Sequence, residues 1–354
     1  MMMSLLLLLA AQDDAPSMIR KSVDTLISFQ DSTGAWPYEG VYRVKGEIPV
    51  GYKVGGTATV GIALLSAARD EGPAKQALDR GLTYILQHLG DPQMEPSTEE
   101  QYDVRVWAQA SALEFLCRLR GGRPTKGIDA WIERLVRTLT LEEIRGGGWN
   151  YAKHDQAAAF VTAPVTQSLL WAKAQGFAVS PELLQRAKAF LEAARADDGA
   201  FLYAGKFPAK EGQTRRTPDD LAGSAARSAV CESTLRMLGG SSDEALQSAL
   251  NTFHDHWSEL EERSKKPGTH EGLYKIAPYY FYFGHRYAGQ AIRLLPEAAR
   301  AAELERLHGA LLKSRENDGT WNDRHFERSR AYGTAMALLA LLGDLDVLPE
   351  APVR

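Results

Sequence analysis

From residue 18 onward the chain repeats one unit, and this repetition limits what it can fold into more than any other feature. Each unit is an amphipathic helix, then a turn rich in glycine and aromatic residues, then a second helix rich in small residues. In the first unit Ile19, Val23, Leu26 and Ile27 recur at helical spacing, the turn runs from Gln30 to Pro37, and residues 55–68 read as the second helix. The same order predicts helix pairs over 77–88 and 102–119, 131–139 and 160–173, 181–194 and 218–238, 243–260 and 279–295, and 299–314 and 331–342. The second helices begin about 50 to 60 residues apart, too far for most two-helix solenoid repeats. No strand pattern competes. One domain over residues 18–345 is therefore expected, between tails at 1–17 and 346–354.

The turns carry the most specific signal. An Asp-x-Gly bend needs a residue that tolerates positive φ, and the aromatic after it can cover the end of a helix barrel. Gln30 to Trp36 reads QDSTGAW, which resembles the QW motif of squalene cyclases. ENDGTW at Glu316 to Trp321 and ADDGAF at Ala196 to Phe201 are similar, without the Gln and, in the latter, without the Trp. The segment around Tyr279 to Gln290 also resembles prenyltransferase/squalene-oxidase repeat proteins. This resemblance implies an all-α fold, an alpha-alpha toroid of about six helix pairs, with an inner and an outer ring around a central cavity. The residues themselves point the same way. Small residues crowd the second helices (Gly55, Gly56, Gly61; Ala222, Gly223, Ala226; Ala331, Gly333, Ala335), as an inner ring of closely packed helices requires.

Charge and cysteine content narrow the function. A formal net charge of -4, with no long Lys/Arg run, provides no field for a phosphate backbone, so nucleic acid is not an expected partner. The only two cysteines, Cys117 and Cys231, sit in apolar helical patterns with no ligand spacing, so neither a disulfide framework nor a zinc site is expected. His254 and His256 are two apart on a helix and do not converge on a metal, and no cofactor motif is present. The N-terminus, MMMSLLLLLAAQDDAP, has the layout of a short signal peptide, although no basic residue precedes the leucines. Export is the expectation, with cytoplasmic location if this segment is not a signal. The leucine run is well short of the roughly 20 residues that span a bilayer.

Three groups are candidate sites. Thr217-Pro218-Asp219-Asp220 overlaps the DxDD acid motif of the cyclases, so the resemblance implies Asp219 as proton donor with Asp220 beside it. The alternative is a plain helix start, with Thr as N-cap, Pro next and two acids in the first turn. The second group places Tyr279, Tyr282, Arg286 and Gln290 near one helix face with His285 and Tyr287 at its flanks, a set suited to holding a cation, a ring or an anion. Tyrosines packed between helix layers are the alternative. In the third, Asp103 and Trp107 share a face while Arg105 points elsewhere, with Tyr332 and Arg330 completing the rim.

Two functions follow. The first is a toroid that binds a hydrophobic or isoprenoid small molecule, or a protein partner, at its cavity mouth. The second is a terpenoid cyclase or prenyltransferase-like enzyme with Asp219 as general acid. An export signal favours binding. A secreted carbohydrate-active enzyme is a third option by fold analogy alone.

Overall fold

A computed structural model describes residues 15–38, 47–68, 72–96, 104–122, 125–152, 156–205 and 217–343. Asp103, most of the leader-like N-terminus and the C-terminal tail lie outside them. The described residues form thirteen α-helices and two short 3-10 turns, with isolated β-bridges but no strand.

The outer helices are α1 (Ala15–Ser28), α3 (Gly72–His88), α5 (Ile128–Leu141), α7 (Pro181–Ala194), α9 (Asp243–Asp255) with its short continuation α10 (Trp257–Arg263), and α12 (Glu297–Ser314). The inner helices are α2 (Val50–Ala68), α4 (Arg105–Gly122), α6 (Ala159–Ala174), α8 (Leu221–Met237), α11 (Tyr280–Leu294) and α13 (Ser329–Leu342). Each inner helix packs on the next, and α13 packs on α2, so the ring closes. This is the expected alpha-alpha toroid.

Composition sorts the two layers. Outer helices bury one stripe, as α5 does with Ile128, Ile132, Leu135, Val136 and Leu139. Inner helices are buried nearly all round, as in α8 and α13. Their glycines admit a neighbour: a Cβ on Gly55 would stand 2.2 Å from the Trp107 ring, and one on Gly61 2.6 Å from Phe115. The small residues thus set the ring's circumference.

Four of the six turns share one hydrogen-bond plan. Asp31, Ile144, Ala196 and Glu316 each donate a backbone N–H to the carbonyl four residues on, and accept one from the glycine three residues on. Those glycines (Gly34, Gly147, Gly199 and Gly319) all have φ between +86° and +101°. The next aromatic is then fastened to both layers. Trp36, Trp149 and Trp321 each donate the indole N–H to an outer-helix carbonyl ten residues back, at Leu26, Leu139 and Leu311. Their backbone N–H groups donate to Thr57, Thr162 and Thr334 on the following inner helix, and Phe201 N–H donates to Ser224. The three indoles do not cap the barrel end, as the turns suggested. They are at most 1% exposed and wedge between the rings, because only there can the N–H reach a helix-end carbonyl.

Several boundaries differ from expectation. Helices α2 and α3 each start five residues earlier than predicted, at Val50 and Gly72. Thr217–Asp219 is a separate 3-10 turn and Asp220 is the N-cap of α8. Thr217 donates its hydroxyl to the Leu273 carbonyl instead of capping the helix.

The turn plan yields a stability prediction. Gly333 lies under the Trp321 carbonyl, where a Cβ would come within 2.4 Å, whereas a Cβ on Gly309 in α12 meets nothing within 4 Å. Gly333→Ala is expected to cost about 1–3 kcal/mol by overpacking, and Gly309→Ala to add about 0.5–1 kcal/mol through helix propensity. Urea denaturation of the two variants measures both; equal effects would sink the close-approach argument.

Candidate functional site

The ring encloses a cavity lined by the first halves of α2, α4, α6, α11 and α13, so it opens at the end where the inner helices begin. Its enclosed part is about 60 Å³, within a funnel of about 880 Å³ measured out to open solvent. That enclosed part is smaller than the roughly 150 Å³ dry cavity that admits a benzene ring. Aromatic side chains line most of its walls.

On one wall Tyr38 stacks on Tyr332 with centroids 4.2 Å apart, and Trp107 meets the Tyr332 edge at 6.1 Å. Gly55 makes room for that indole. On the opposite wall Phe160 packs T-shaped on Tyr151, and Phe283 lies 4.7 Å from Tyr287. Burial first, then the Asp323 carboxylate, push the Tyr38 and Tyr332 phenols well above their ordinary range, so both remain O–H donors.

The floor is charged. Glu114, on α4, accepts from Arg286 Nη2 at 2.9 and 3.1 Å and from Arg118, one turn further along α4, at 2.7 Å. Burial alone would raise the Glu114 carboxyl, but the two guanidiniums together outweigh it and hold the group below the usual carboxylate range. Glu114 is therefore an anion at neutral pH, not a proton donor. Deeper in the ring, Gln167 and Gln290 exchange amide hydrogen bonds of 2.8 and 2.9 Å, and Gln167 also donates to Thr234. This pair seals the ring under the ionic floor.

Of the residues expected from sequence, Trp107, Tyr279, Arg286 and Tyr332 line the cavity. Gln290 lies below it. Tyr282 and His285 turn the other way: the Tyr282 hydroxyl donates to the Ser314 carbonyl at the end of α12, and His285 Nε2 accepts from the Trp257 indole of α10. Their ring lies between the layers because the inward stripe of α11 is centred on Phe283, Arg286 and Gln290, leaving Tyr282 and His285 to one side. Burial lowers the His285 pKa to about 4, so its imidazole is neutral. Arg105 does point elsewhere, into a buried pair with Glu142 at 2.7 Å, and Arg330 bonds Asp318 on the rim.

Asp219 does not line the cavity. Its carboxylate accepts the Tyr203 backbone N–H at 2.6 Å and lies 3.7 Å from Arg227, whose guanidinium donates to the Phe201, Gly223 and Pro218 carbonyls. The two side chains bind the fourth turn to the start of α8. Asp220 is partly exposed at the helix start.

Sequence reasoning passed over Glu114, Tyr38 and Tyr52. Glu114 left a signal, since it and Arg118 are the charged pair in the otherwise uncharged run from Ala108 to Leu119, on a helix buried nearly all round. Tyr38 left none, because it sits in a loop. Among the described residues no group of three His, Cys, Asp or Glu side chains is placed to hold a metal.

No protein-family model and no curated protein matches the sequence. Solved structures do match. The type II terpene cyclase MstE from Scytonema aligns over 94% of this chain and 98% of its own, at 14% identity and a TM-score of 0.57. An inactive variant of the GH76A alpha-1,6-mannanase of Salegentibacter sp. HEL1_6, in complex with alpha-1,6-mannotetrose, aligns over 94% and 99%, at 11% identity and a TM-score of 0.63. The fold is theirs. At these identities the toroid scaffold is what is shared. Among the described residues no helix of this toroid is long and apolar enough to cross a membrane.

One buried acid stands apart from the floor. Asp323 is 0% exposed, no other residue hydrogen-bonds its carboxylate oxygens, and burial, only partly offset by Arg324 and its own backbone N–H, raises its pKa to about 7. Unfolded, it titrates near the ordinary 3.8. Between about pH 4 and 7 the folded state thus binds the extra proton, and Asp323 removes stability as pH rises through that window. Asp323→Asn is expected to abolish this contribution and to raise the melting temperature above pH 7; an unchanged or lower value there, by calorimetry, would count against it.

Proposed function

We propose that this toroid binds a ligand at the mouth of its central cavity, gripping an apolar or flat body between the aromatic walls above the Glu114–Arg286 floor. One observation carries the reading: rings from a loop and from four inner helices, Tyr38, Trp107, Phe160, Phe283 and Tyr332 among them, converge on a single funnel. Aromatic faces of this kind contribute large contact area with little side-chain entropy to lose.

Chemistry receives less support than binding. Glycoside hydrolysis ordinarily uses two carboxyl groups across the scissile bond, and among the described lining residues Glu114 is the sole carboxylate, already ion-paired. Alkene protonation needs an acid that faces the substrate, and Asp219 is engaged by Tyr203 and Arg227. The isoprenoid enzyme reading keeps one point in its favour: MstE, solved with geranylgeranyl dihydroxybenzoate, aligns over 97% of its length. The Gln30 to Trp36 turn fits the QW reading in the same spirit. The leader-like N-terminus supports a location outside the cytoplasm, which N-terminal sequencing of the mature chain checks.

Titration calorimetry with C15 and C20 isoprenoid alcohols and with alpha-1,6-mannooligosaccharides tests the binding reading. One class is expected to bind, and Trp107→Ala and Tyr332→Ala to weaken it at least tenfold, as central aromatic anchors do. Affinity that survives both substitutions removes the cavity as the site. Incubation with squalene and with farnesyl and geranylgeranyl diphosphates, wild type against Asp219→Asn, is expected to give no product; product lost in the variant would make the protein an enzyme.

A further inference from the structure

Just after Trp321 two adjacent residues of opposite charge are buried without being paired. Asp323 is 0% and Arg324 1% exposed, no other residue hydrogen-bonds either Asp323 oxygen, and Nε, Nη1 and Nη2 of Arg324 all lack a hydrogen-bond partner. The two side chains do not bond each other. Arg324 stands over the Phe326 ring, 5.6 Å from its centroid, which offers the guanidinium a face but no acceptor. Buried polar groups ordinarily have partners, and leaving one without is costly, so two such groups together call for a bound group between them.

Tyr38 joins this pair to the cavity. It lines the funnel, stacks on Tyr332 at 4.2 Å and donates its backbone N–H to the Tyr52 carbonyl, while its hydroxyl is buried with no hydrogen-bond partner. Asp323 and Arg324 are the foremost charged groups acting on that phenol, although neither lines the funnel. They therefore stand behind the wall that Tyr38 and Tyr332 form. One positive, one negative and one neutral group give the cluster no demand for a charged ligand. Arg324 only donates, the phenol can do either, and Asp323, with its pKa raised to about 7, accepts when ionised and donates when protonated. A hydroxyl group, which accepts and donates through one oxygen, suits all three in both states; a carboxylate would oppose Asp323, and an ammonium would oppose Arg324.

We infer that Tyr38, Asp323 and Arg324 form the polar end of the binding site and recognise a hydroxyl group of an uncharged ligand, whose body lies in the funnel against Trp107 and Tyr332. This deepens the cavity reading and rests on it. The ligand oxygen accepts from Arg324 and Tyr38 and donates to Asp323. Tyr38 lies in a loop and not in a helix, so that oxygen reaches the pair by displacing one side chain and leaves the inner ring intact. An isoprenoid alcohol and a saccharide share this chemistry and differ in the body that carries it.

Calorimetry on the full chain compares a C10 isoprenoid alcohol with its methyl ether, and a hexose disaccharide with its fully O-methylated form. In one of the two sets the hydroxyl form is expected to bind about tenfold or more tightly than the ether, and that set identifies the body. Tyr38→Phe, which keeps the stack and removes only the hydroxyl, should cut this advantage about threefold or more and raise the melting temperature of the free protein, since an unsatisfied buried group is deleted. Asp323→Leu combined with Arg324→Met, which exchanges the buried charges for apolar side chains, should abolish the advantage. If that double variant does not fold, Tyr38→Phe alone decides. A hydroxyl form that binds no more tightly than its ether overturns the inference and leaves the cavity reading standing. So does an advantage undiminished in either variant, in which case the cluster holds water alone. Failure of every compound to bind removes both.

Discussion

A turn aromatic that is hydrogen-bonded to both helix layers is the contact on which this ring depends. Outer helices end in carbonyls that have no intrahelical partner, and the indoles of Trp36, Trp149 and Trp321 supply one while their backbone N–H groups reach a threonine of the next inner helix. Each such contact fixes the angle between an outer helix and its inner partner. Repetition of one angle around a closed path leaves the inner helices little freedom of radius. Glycines at Gly56 and Gly333 then let the turn backbone press onto the inner helix, which any side chain there would prevent.

The cavity is a consequence of that closure. Six helices around an axis cannot all touch at the centre, so the space is filled by large side chains at one end and by a polar network at the other. Because the inner helices are buried all round, a charge they carry needs a counter-charge, on the same helix, on a neighbouring element or across the ring. Glu114 on α4 meets Arg286 on α11 in this way, 172 positions away in sequence. The pairing keeps Glu114 ionised, and that decides what the site can do: it can orient and neutralise, but at neutral pH it has no proton to give.

Much of the fold was legible in the sequence because its causes are local. Helical periodicity, Asp-x-Gly turns and runs of small residues each act within about one turn of chain, so the pairs, their order and the inner and outer roles could be read directly. The candidate site was legible in half. Trp107, Tyr279, Arg286 and Tyr332 do face the cavity. Tyr282 and His285 were placed with them because a helical face read from spacing is uncertain by about a third of a turn, and only packing against α10 and α12 fixes which way the stripe turns.

The sequence by itself determined that the chain is built of six helix pairs with a small-residue inner layer, since periodicity and side-chain size are properties of neighbours along the chain. Only the tertiary structure decided that Glu114 lies between two arginines, that Asp219 holds a turn in place, and that Asp323 is buried without a partner. Each of those depends on burial and on residues far apart in sequence. Charge and proton affinity follow the surroundings of a group, and those surroundings exist only once the ring has closed.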